Sequence, residues 1–205
     1  MKRMGHRGAM GHAPENTIAS FQKALDLGCD EVETDVWLAG DAFVISHDRP
    51  AAAGGLSLDA VLDFCRGRMG VNVELKCDPD EALATRTGDR VARHLAQRAD
   101  PDVSVSTFWW PALVSARVAA PEVRRAFLFN DCPDRAALLS SAASLDLFAL
   151  HPNRDFVTAE LVADAHRAGL MVHPWTVNDP AQIAAFAQLG VDGIMSDYPE
   201  RIPKP

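Results

Sequence analysis

The sequence predicts an α/β fold and, within that class, a closed TIM (β/α)8 barrel formed by a single domain over residues 1–205. Short apolar runs alternate with longer amphipathic stretches along the chain, which is typical of a parallel sheet covered by helices. Polar side chains also share one face of the central runs. The chain is slightly shorter than the ~250 residues usual for this barrel, so an open doubly wound sheet is the alternative.

The elements follow from the apolar runs and from the residues that begin and end helices. Nine strands are predicted, at 4–6, 31–37, 43–47, 71–76, 103–106, 125–129, 147–150, 170–175 and 193–196. The run 43–47 exceeds the eight of a barrel, and we expect it to extend the second strand or pair with it. Seven helices are predicted near residues 15–28, 57–66, 80–98, 110–120, 134–142, 158–168 and 179–189. Ser57 and Thr158 are suitable N-caps, and Gly28, Gly169 and Gly190 lie where helices should end.

The alternation of side chains within two strands favours the barrel over the open sheet. In the run 71–76, Glu74 and Lys76 share the polar face, and Glu33 and Asp35 share a face of the second strand in the same way. In a barrel these side chains converge inside the mouth at the C-terminal rim. In an open sheet they would be buried under a helix, at a high free-energy cost.

Composition limits the partners of the protein. The net charge of −8 disfavours a nucleic acid, although a small phosphate ligand held with a metal ion remains compatible. No window approaches the ~18 apolar residues of a membrane span, and no apolar export signal is present. Four cysteines without C-x-x-C spacing predict reduced, mostly buried thiols in a cytoplasmic protein.

Two acidic residues on one strand face predict a metal site. Glu33 and Asp35 repel each other unless a cation compensates them, and Glu74 from a neighbouring strand would add a third oxygen ligand. Hard oxygen ligands suit Mg²⁺ or Ca²⁺ better than zinc. The alternative is an ion network of these acids with Arg7 and Lys76, without metal.

Two histidines at strand ends, His6 and His47, are candidates for a general acid and a general base. Arg7 suits a bidentate grip on phosphate oxygens, and Lys76 adds a second positive charge unless it only pairs with Glu74. Trp175 ends a strand on the rim side and is a candidate wall of a pocket.

Two further pairs of residues have structural roles as their simplest interpretation. His151 and His173 also lie near strand ends, but we do not expect them to contact substrate. Trp109 and Trp110 are expected to begin a helix.

Several separated motifs together resemble the glycerophosphodiester phosphodiesterase family. In chain order they are His6-Arg7-Gly8, Pro14-Glu15-Asn16-Thr17, Glu33-x-Asp35-Val36, His47-Asp48, Glu74-x-Lys76, Trp175-Thr176-Val177-Asn178 and Gly193-Ile194-x-x-Asp197-Tyr198-Pro199. The resemblance runs from the first strand to the last. It implies a TIM barrel of the PLC-like phosphodiesterase type that uses a divalent cation, Mg²⁺ or Ca²⁺ with Mn²⁺ as a further candidate.

The resemblance also implies residue roles and a reaction. Glu33, Asp35 and Glu74 become metal ligands, and His6 and His47 become the acid–base pair. The remaining roles are phosphate contacts and a pocket wall, for Arg7, Lys76 and Trp175. The implied enzyme hydrolyses a glycerophosphodiester to an alcohol and sn-glycerol 3-phosphate. The alternatives are a lyase that releases a cyclic phosphate, hydrolysis of lysophospholipid-type diesters, and a non-catalytic phosphate-binding module.

The chain departs from the family pattern at one place. The long segment that usually follows the His-Asp pair is missing, and only residues 49–55 separate Asp48 from the helix near Ser57. We expect a less covered mouth that admits a bulkier headgroup, or a homo-oligomer in which a second subunit supplies the missing wall.

Overall fold

The computed structural model describes residues 1–51, 54–77, 80–131 and 133–204. These residues form the predicted barrel, with eight parallel strands and one antiparallel strand outside the ring. The strands are β1 (Lys2–Gly5), β2 (Glu31–Ala39), β3 (Ala42–Ile45), β4 (Gly70–Lys76), β5 (Val103–Thr107), β6 (Arg124–Phe129), β7 (Ala149–Pro152), β8 (Met171–Val172) and β9 (Gly193–Ser196). Around the ring they follow the order β8-β7-β6-β5-β4-β2-β1-β9.

Helices connect successive barrel strands and cover the outside of the ring. They are α1 (Ile18–Asp26), α2 (Leu58–Cys65), α3 (Glu81–Arg98), α4 (Trp110–Ala119), α5 (Arg135–Ser144), α6 (Ala159–Arg167) and α7 (Pro180–Leu189). Ser57 and Thr158 cap α2 and α6 through their hydroxyl groups, as predicted. Trp110 begins α4 and stacks on Phe127, with ring centroids 3.9 Å apart. It therefore has the predicted structural role.

The ring is nearly closed between β8 and β9, which meet through irregular backbone. The Met195 N–H donates to the Pro174 carbonyl at 3.0 Å, and the Val177 N–H donates to the Met195 carbonyl at 2.9 Å. By contrast, β2 and β4 are aligned over seven residue pairs, from Glu31 with Gly70 to Trp37 with Lys76. The seam between β8 and β9 therefore contains the shortest strand of the barrel.

The extra strand predicted at 43–47 is β3, which pairs with the second strand as expected. It forms an antiparallel hairpin with β2, with Val36 opposite Ile45 and Ala39 opposite Ala42. The hairpin extends β2 beyond the barrel rim and brings His47 back toward the mouth. This return explains why two motifs separated along the chain meet in space.

Two elements depart most from their predicted boundaries. Helix α1 begins at Ile18 rather than near residue 15, because Asn16 has a φ of 55° and Thr17 is the N-cap. Strand β8 spans only Met171–Val172 instead of 170–175, because Pro174 has no N–H to donate to a neighbouring strand. Both differences arise from backbone constraints that the apolar pattern does not contain.

The inner and outer faces of the strands divide as predicted. Val71, Val73 and Leu75 are buried in the cluster beneath the helices, whereas Asn72 and Glu74 face the barrel interior. Glu31 lies at the bottom of the barrel, 2% exposed, with its Oε2 2.9 Å from Lys2 Nζ. The interior is therefore polar from its floor to its mouth along β2.

The structure also bears on the cysteines and on membrane spans. Cys29, Cys65 and Cys77 are buried, as expected, while Cys132 lies outside the described residues. Within the described part of the chain, no helix has the length and apolar character needed to cross a membrane.

Candidate active site

Three carboxylates converge at the C-terminal rim, as the sequence predicts. Glu33 and Asp35 follow each other on the inner face of β2, and the parallel register places Asp35 beside Glu74 of β4. One oxygen of each carboxylate lies within 4.8 Å of the others. Glu33 and Asp35 are buried, so their negative charges are held close together away from bulk water.

The loop between β1 and α1 brings Arg7 against these acids. Arg7 adopts a left-handed backbone conformation with a φ of 49°, and its backbone N–H donates to Glu33 Oε2 at 2.9 Å. Gly8 follows with a φ of 85°, and a Cβ at this position would overlap Ser20 of α1. The tight turn therefore depends on glycine and fixes the direction of both His6 and Arg7.

Two cations partly neutralise the carboxylates. Arg7 Nε lies 3.2 Å from Asp35 Oδ2, and its Nη1 donates to Glu15 at 2.8 Å. Lys76 Nζ donates to Glu74 Oε1 at 2.9 Å and lies 3.7 Å from Asp35 Oδ1. The ion network considered as an alternative is thus present. It leaves three acids at the rim facing two cations.

Unsatisfied oxygens and raised pKa values indicate that the acids fit a further cation. Glu33 Oε1 and Asp35 Oδ1 are buried without a hydrogen-bond partner among the described residues. Burial, together with the charges of Asp35 and Glu74, raises the pKa of Glu33 well above its usual value. Burial and Asp35 raise the pKa of Glu74 to about 7. All three candidate ligands are carboxylates, and oxygen ligands of this kind suit a hard divalent ion.

His6 lies at the rim with its imidazole held by an acid from β9. Its Nδ1–H donates to Asp197 Oδ1 at 2.7 Å. Asp197 therefore contacts only one of the two ring nitrogens, and Nε2 is the other. Asn178 in turn donates to Asp197 Oδ2 at 2.6 Å. Burial acts to raise the pKa of Asp197, but the hydrogen bonds from His6 and Asn178 outweigh it and lower that pKa. An ionised carboxylate therefore fixes the orientation of this histidine.

His47 follows β3 and is the more accessible of the two histidines, with 38% of its side chain exposed against 15% for His6. Its Nδ1–H donates to Asp48 Oδ1 at 2.9 Å. Its backbone carbonyl accepts a hydrogen bond from the Trp37 indole at 3.2 Å. Both histidines therefore have a carboxylate at Nδ1, and among the described residues no hydrogen bond occupies Nε2 of either ring.

Trp175 lies at the rim on the opposite side of the barrel. Its indole N–H donates to the His151 carbonyl at 2.8 Å, and its ring meets Phe108 edge to face, with centroids 5.6 Å apart. His151 and His173 are fully buried below it, with Nε2 and Nδ1 3.2 Å apart. Burial lowers the pKa of His173 to about 3, so this pair is neutral core and does not reach the mouth.

Asn16 is a site residue to which the sequence interpretation gave no role. Its side-chain amide donates to Asp35 Oδ2 at 2.9 Å, and its oxygen accepts from the Thr34 hydroxyl at 2.8 Å. It therefore holds Asp35 in position. Asn16 belongs to the motif of residues 14–17, so the sequence did mark it as part of a pattern. The contact of Asn16 with Asp35 depends on the left-handed backbone of Asn16 itself.

The fold and the site together define a barrel hydrolase with a carboxylate cluster, two histidines and two cations at its mouth. Comparison with family models matches the glycerophosphoryl diester phosphodiesterase family over residues 6–57 and 56–201. The chain belongs to this family and is a phosphodiesterase. The junction of the two matched parts lies directly after the short loop 49–55, where the usual segment is missing.

Individual relatives extend the match over nearly the whole chain. A glycerophosphodiester phosphodiesterase from Bacillus altitudinis is 28% identical and covers 99% of this chain and 97% of its own. One from Caldanaerobacter subterraneus is 26% identical over 237 aligned positions, covering 97% of this chain and 95% of the relative. An Oleispira antarctica phosphodiesterase, solved with the product sn-glycerol-3-phosphate, is 31% identical with a TM-score of 0.83, covering 97% and 94% of the two chains. Because 237 positions exceed the 205 residues of this chain, the relative has residues without a counterpart here.

Proposed function

We propose that the protein hydrolyses glycerophosphodiesters to an alcohol and sn-glycerol 3-phosphate with the help of a divalent cation. The observation that carries this proposal is the convergence of Glu33, Asp35 and Glu74 beside Arg7 and Lys76. The product bound in the Oleispira antarctica relative supports the same substrate class. The cation is Mg²⁺ or Ca²⁺, with Mn²⁺ as a further candidate.

The phosphodiester group binds where the cations meet the carboxylates. Glu33, Asp35 and Glu74 hold the metal ion, which when bound stabilises negative charge on the phosphate oxygens. Arg7 and Lys76 contact the non-bridging oxygens and stabilise the charge that grows there during attack. Trp175 forms a wall of the substrate pocket on the far side of the rim.

The two histidines move protons on opposite sides of the phosphorus. One imidazole removes the proton from the neighbouring glycerol hydroxyl as that oxygen bonds to phosphorus. The other protonates the leaving alkoxide as its bond to phosphorus breaks, which produces a cyclic phosphate and a free alcohol. Water then opens the ring with the two proton transfers reversed. Each such transfer contributes about 10²–10⁴-fold to the rate.

The direct test is product release from a panel of glycerophosphodiesters and lysophospholipids with Mg²⁺, Ca²⁺ or Mn²⁺. We expect sn-glycerol 3-phosphate to be released and the reaction to stop when EDTA removes the metal. Absence of turnover on every glycerophosphodiester with every cation would overturn the proposal. Phosphorus NMR of the product distinguishes the hydrolase from a lyase, because a lyase leaves the cyclic phosphate as the final species.

A further inference from the structure

A cavity lies on the side of the β2–β3 hairpin. It has a volume of about 450 Å³ and lies between the end of β2, the start of the short loop and the first turns of α3. Its lining includes Trp37, Arg49, Leu83 and Arg86. This volume is in the range that small-molecule sites occupy.

The cavity shares Trp37 with the catalytic mouth. Trp37 follows Asp35 by two residues on the inner face of β2 and is paired in register with Lys76. Its indole N–H is bonded to the His47 carbonyl at 3.2 Å. Arg49 follows His47 by two residues along the chain, so the cavity lies beside His47 through both Trp37 and Arg49.

Two exposed arginines, Arg49 and Arg86, line the cavity. Arg49 lies over the Trp37 ring, 5.7 Å from its centroid. Neither Arg49 nor Arg86 forms an ion pair with any carboxylate in the described ranges. Two other arginines of α3, the helix that carries Arg86, do form ion pairs. Arg90 pairs with Asp41 at 2.8 Å, and Arg93 pairs with Asp89 at 3.0 Å.

The charge of the whole chain makes this arrangement informative. The protein carries eight more acidic than basic residues, yet two guanidinium groups with no ion pair among the described residues line one cavity beside His47. Guanidinium groups pair preferentially with carboxylates and phosphates. Arg90 of α3 pairs with Asp41 at the turn of the hairpin, so the helix and the hairpin are in contact beside the cavity.

We propose that Arg49 and Arg86 form a subsite for an anionic group on the alcohol part of the substrate, so that the enzyme prefers glycerophosphodiesters whose leaving alcohol carries a carboxylate or a phosphate. This inference rests on the proposed function, because it assigns the leaving group of the same reaction. Arg49 follows the His-Asp pair directly in the chain, and with Pro50 and Ala51 it lines the cavity beside α3.

Two substrates that differ by one carboxylate test the subsite. Glycerophosphoserine and glycerophosphoethanolamine share the phosphodiester and the amine, but only the serine compound carries the extra anion. We expect the wild-type enzyme to show the higher kcat/KM with glycerophosphoserine. R49Q and R86Q should each lower kcat/KM for glycerophosphoserine by about threefold to fivefold, the size expected for one partly exposed ion pair, and leave glycerophosphoethanolamine unchanged.

R93Q is the matched control, because it removes the same charge from the same helix at a residue outside the cavity. It should leave the ratio of the two kcat/KM values unchanged. Equal kcat/KM for the two substrates in the wild type, or an equal loss for both in R49Q and R86Q, would overturn the subsite while the proposed function stands. Absence of turnover on both substrates would instead overturn the proposed function.

Discussion

At the residue scale, neighbouring side chains fix the orientation of the groups proposed to react or to bind metal. Asp197 fixes His6 through Nδ1, and Asp48 does the same for His47. Asn16 fixes Asp35 through its amide. Each group proposed to react or to bind metal is therefore held by a neighbour, which reduces the reorganisation needed during the reaction.

Replacement of His47 by alanine should separate catalysis from folding. Because His47 is 38% exposed and lies at a strand end, we expect H47A to keep its thermal stability and its affinity for the metal ion. The kcat for glycerophosphodiester hydrolysis should fall by about 10²–10⁴-fold, the contribution of one proton transfer. Steady-state kinetics and calorimetric titration with Mn²⁺ measure the two effects.

His166 provides the matched control for this substitution. It lies on α6 beside Asp192, away from the rim, with 41% of its side chain exposed. H166A should retain kcat within twofold or so of the wild type, since changes at the surface have small effects. If H47A retained wild-type turnover, the proposed role of His47 would be wrong.

At the element scale, the β1–α1 turn carries both His6 and Arg7 and depends on Gly8. A Cβ at this position would meet Ser20, and the φ of 85° is unfavourable for any other residue. G8A should therefore lose about 3 kcal/mol or more of stability, as expected for backbone strain combined with overpacking. Activity should fall as well. Chemical denaturation and kcat/KM measure the two losses.

Replacement of Gly169 is the control that separates the cost of a left-handed backbone from the cost of a steric clash. It also has a positive φ, 76°, but a Cβ there has no heavy atom within 4 Å. G169A should lose only the left-handed backbone cost of about 1–2 kcal/mol and keep full activity. A stability loss in G8A no greater than that in G169A would contradict the packing argument.

The elements also show what sequence could and could not predict. Period-two alternation placed Glu33 and Asp35 on one face, and parallel strands carry such residues to one rim, so the convergence with Glu74 was predictable. The contact of His6 with Asp197 joins residues 191 positions apart. The cavity of Arg49 and Arg86 exists only because α3 packs beside the hairpin. Neither the contact of His6 with Asp197 nor this cavity leaves a local pattern in the sequence.

At the scale of the whole molecule, metal binding should couple stability to pH. The pKa of Glu74 is about 7 without metal, and that of Glu33 is also raised. A carboxyl whose pKa is higher in the folded than in the unfolded state stabilises the metal-free fold at low pH. This stabilisation is lost as the pH rises through about 7. Metal must displace these protons, so it should stabilise the fold more at pH 8 than at pH 6.

Melting temperatures in EDTA and in Mn²⁺ at the two pH values measure this coupling. We expect the increase in Tm caused by Mn²⁺ to be larger at pH 8, with the apparent affinity falling about tenfold for each pH unit below 7 if one proton is displaced. E74Q removes a proposed metal ligand, so Mn²⁺ should raise the Tm of this variant only slightly at both pH values. An equal increase in wild type at pH 6 and pH 8 would contradict the carboxylate site.

The seam between β8 and β9 is the part of the barrel that should open locally most easily. Its few backbone hydrogen bonds, such as Met195 to Pro174, can part while the seven-pair alignment of β2 with β4 stays intact. Trp175 and Asp197 border that seam, whereas the carboxylate cluster is anchored on the well-paired strands. Amide hydrogen exchange should therefore be faster at Val177 and Met195 than along β4. Such openings would widen the mouth on its Trp175 side and free a product without disturbing the metal ligands.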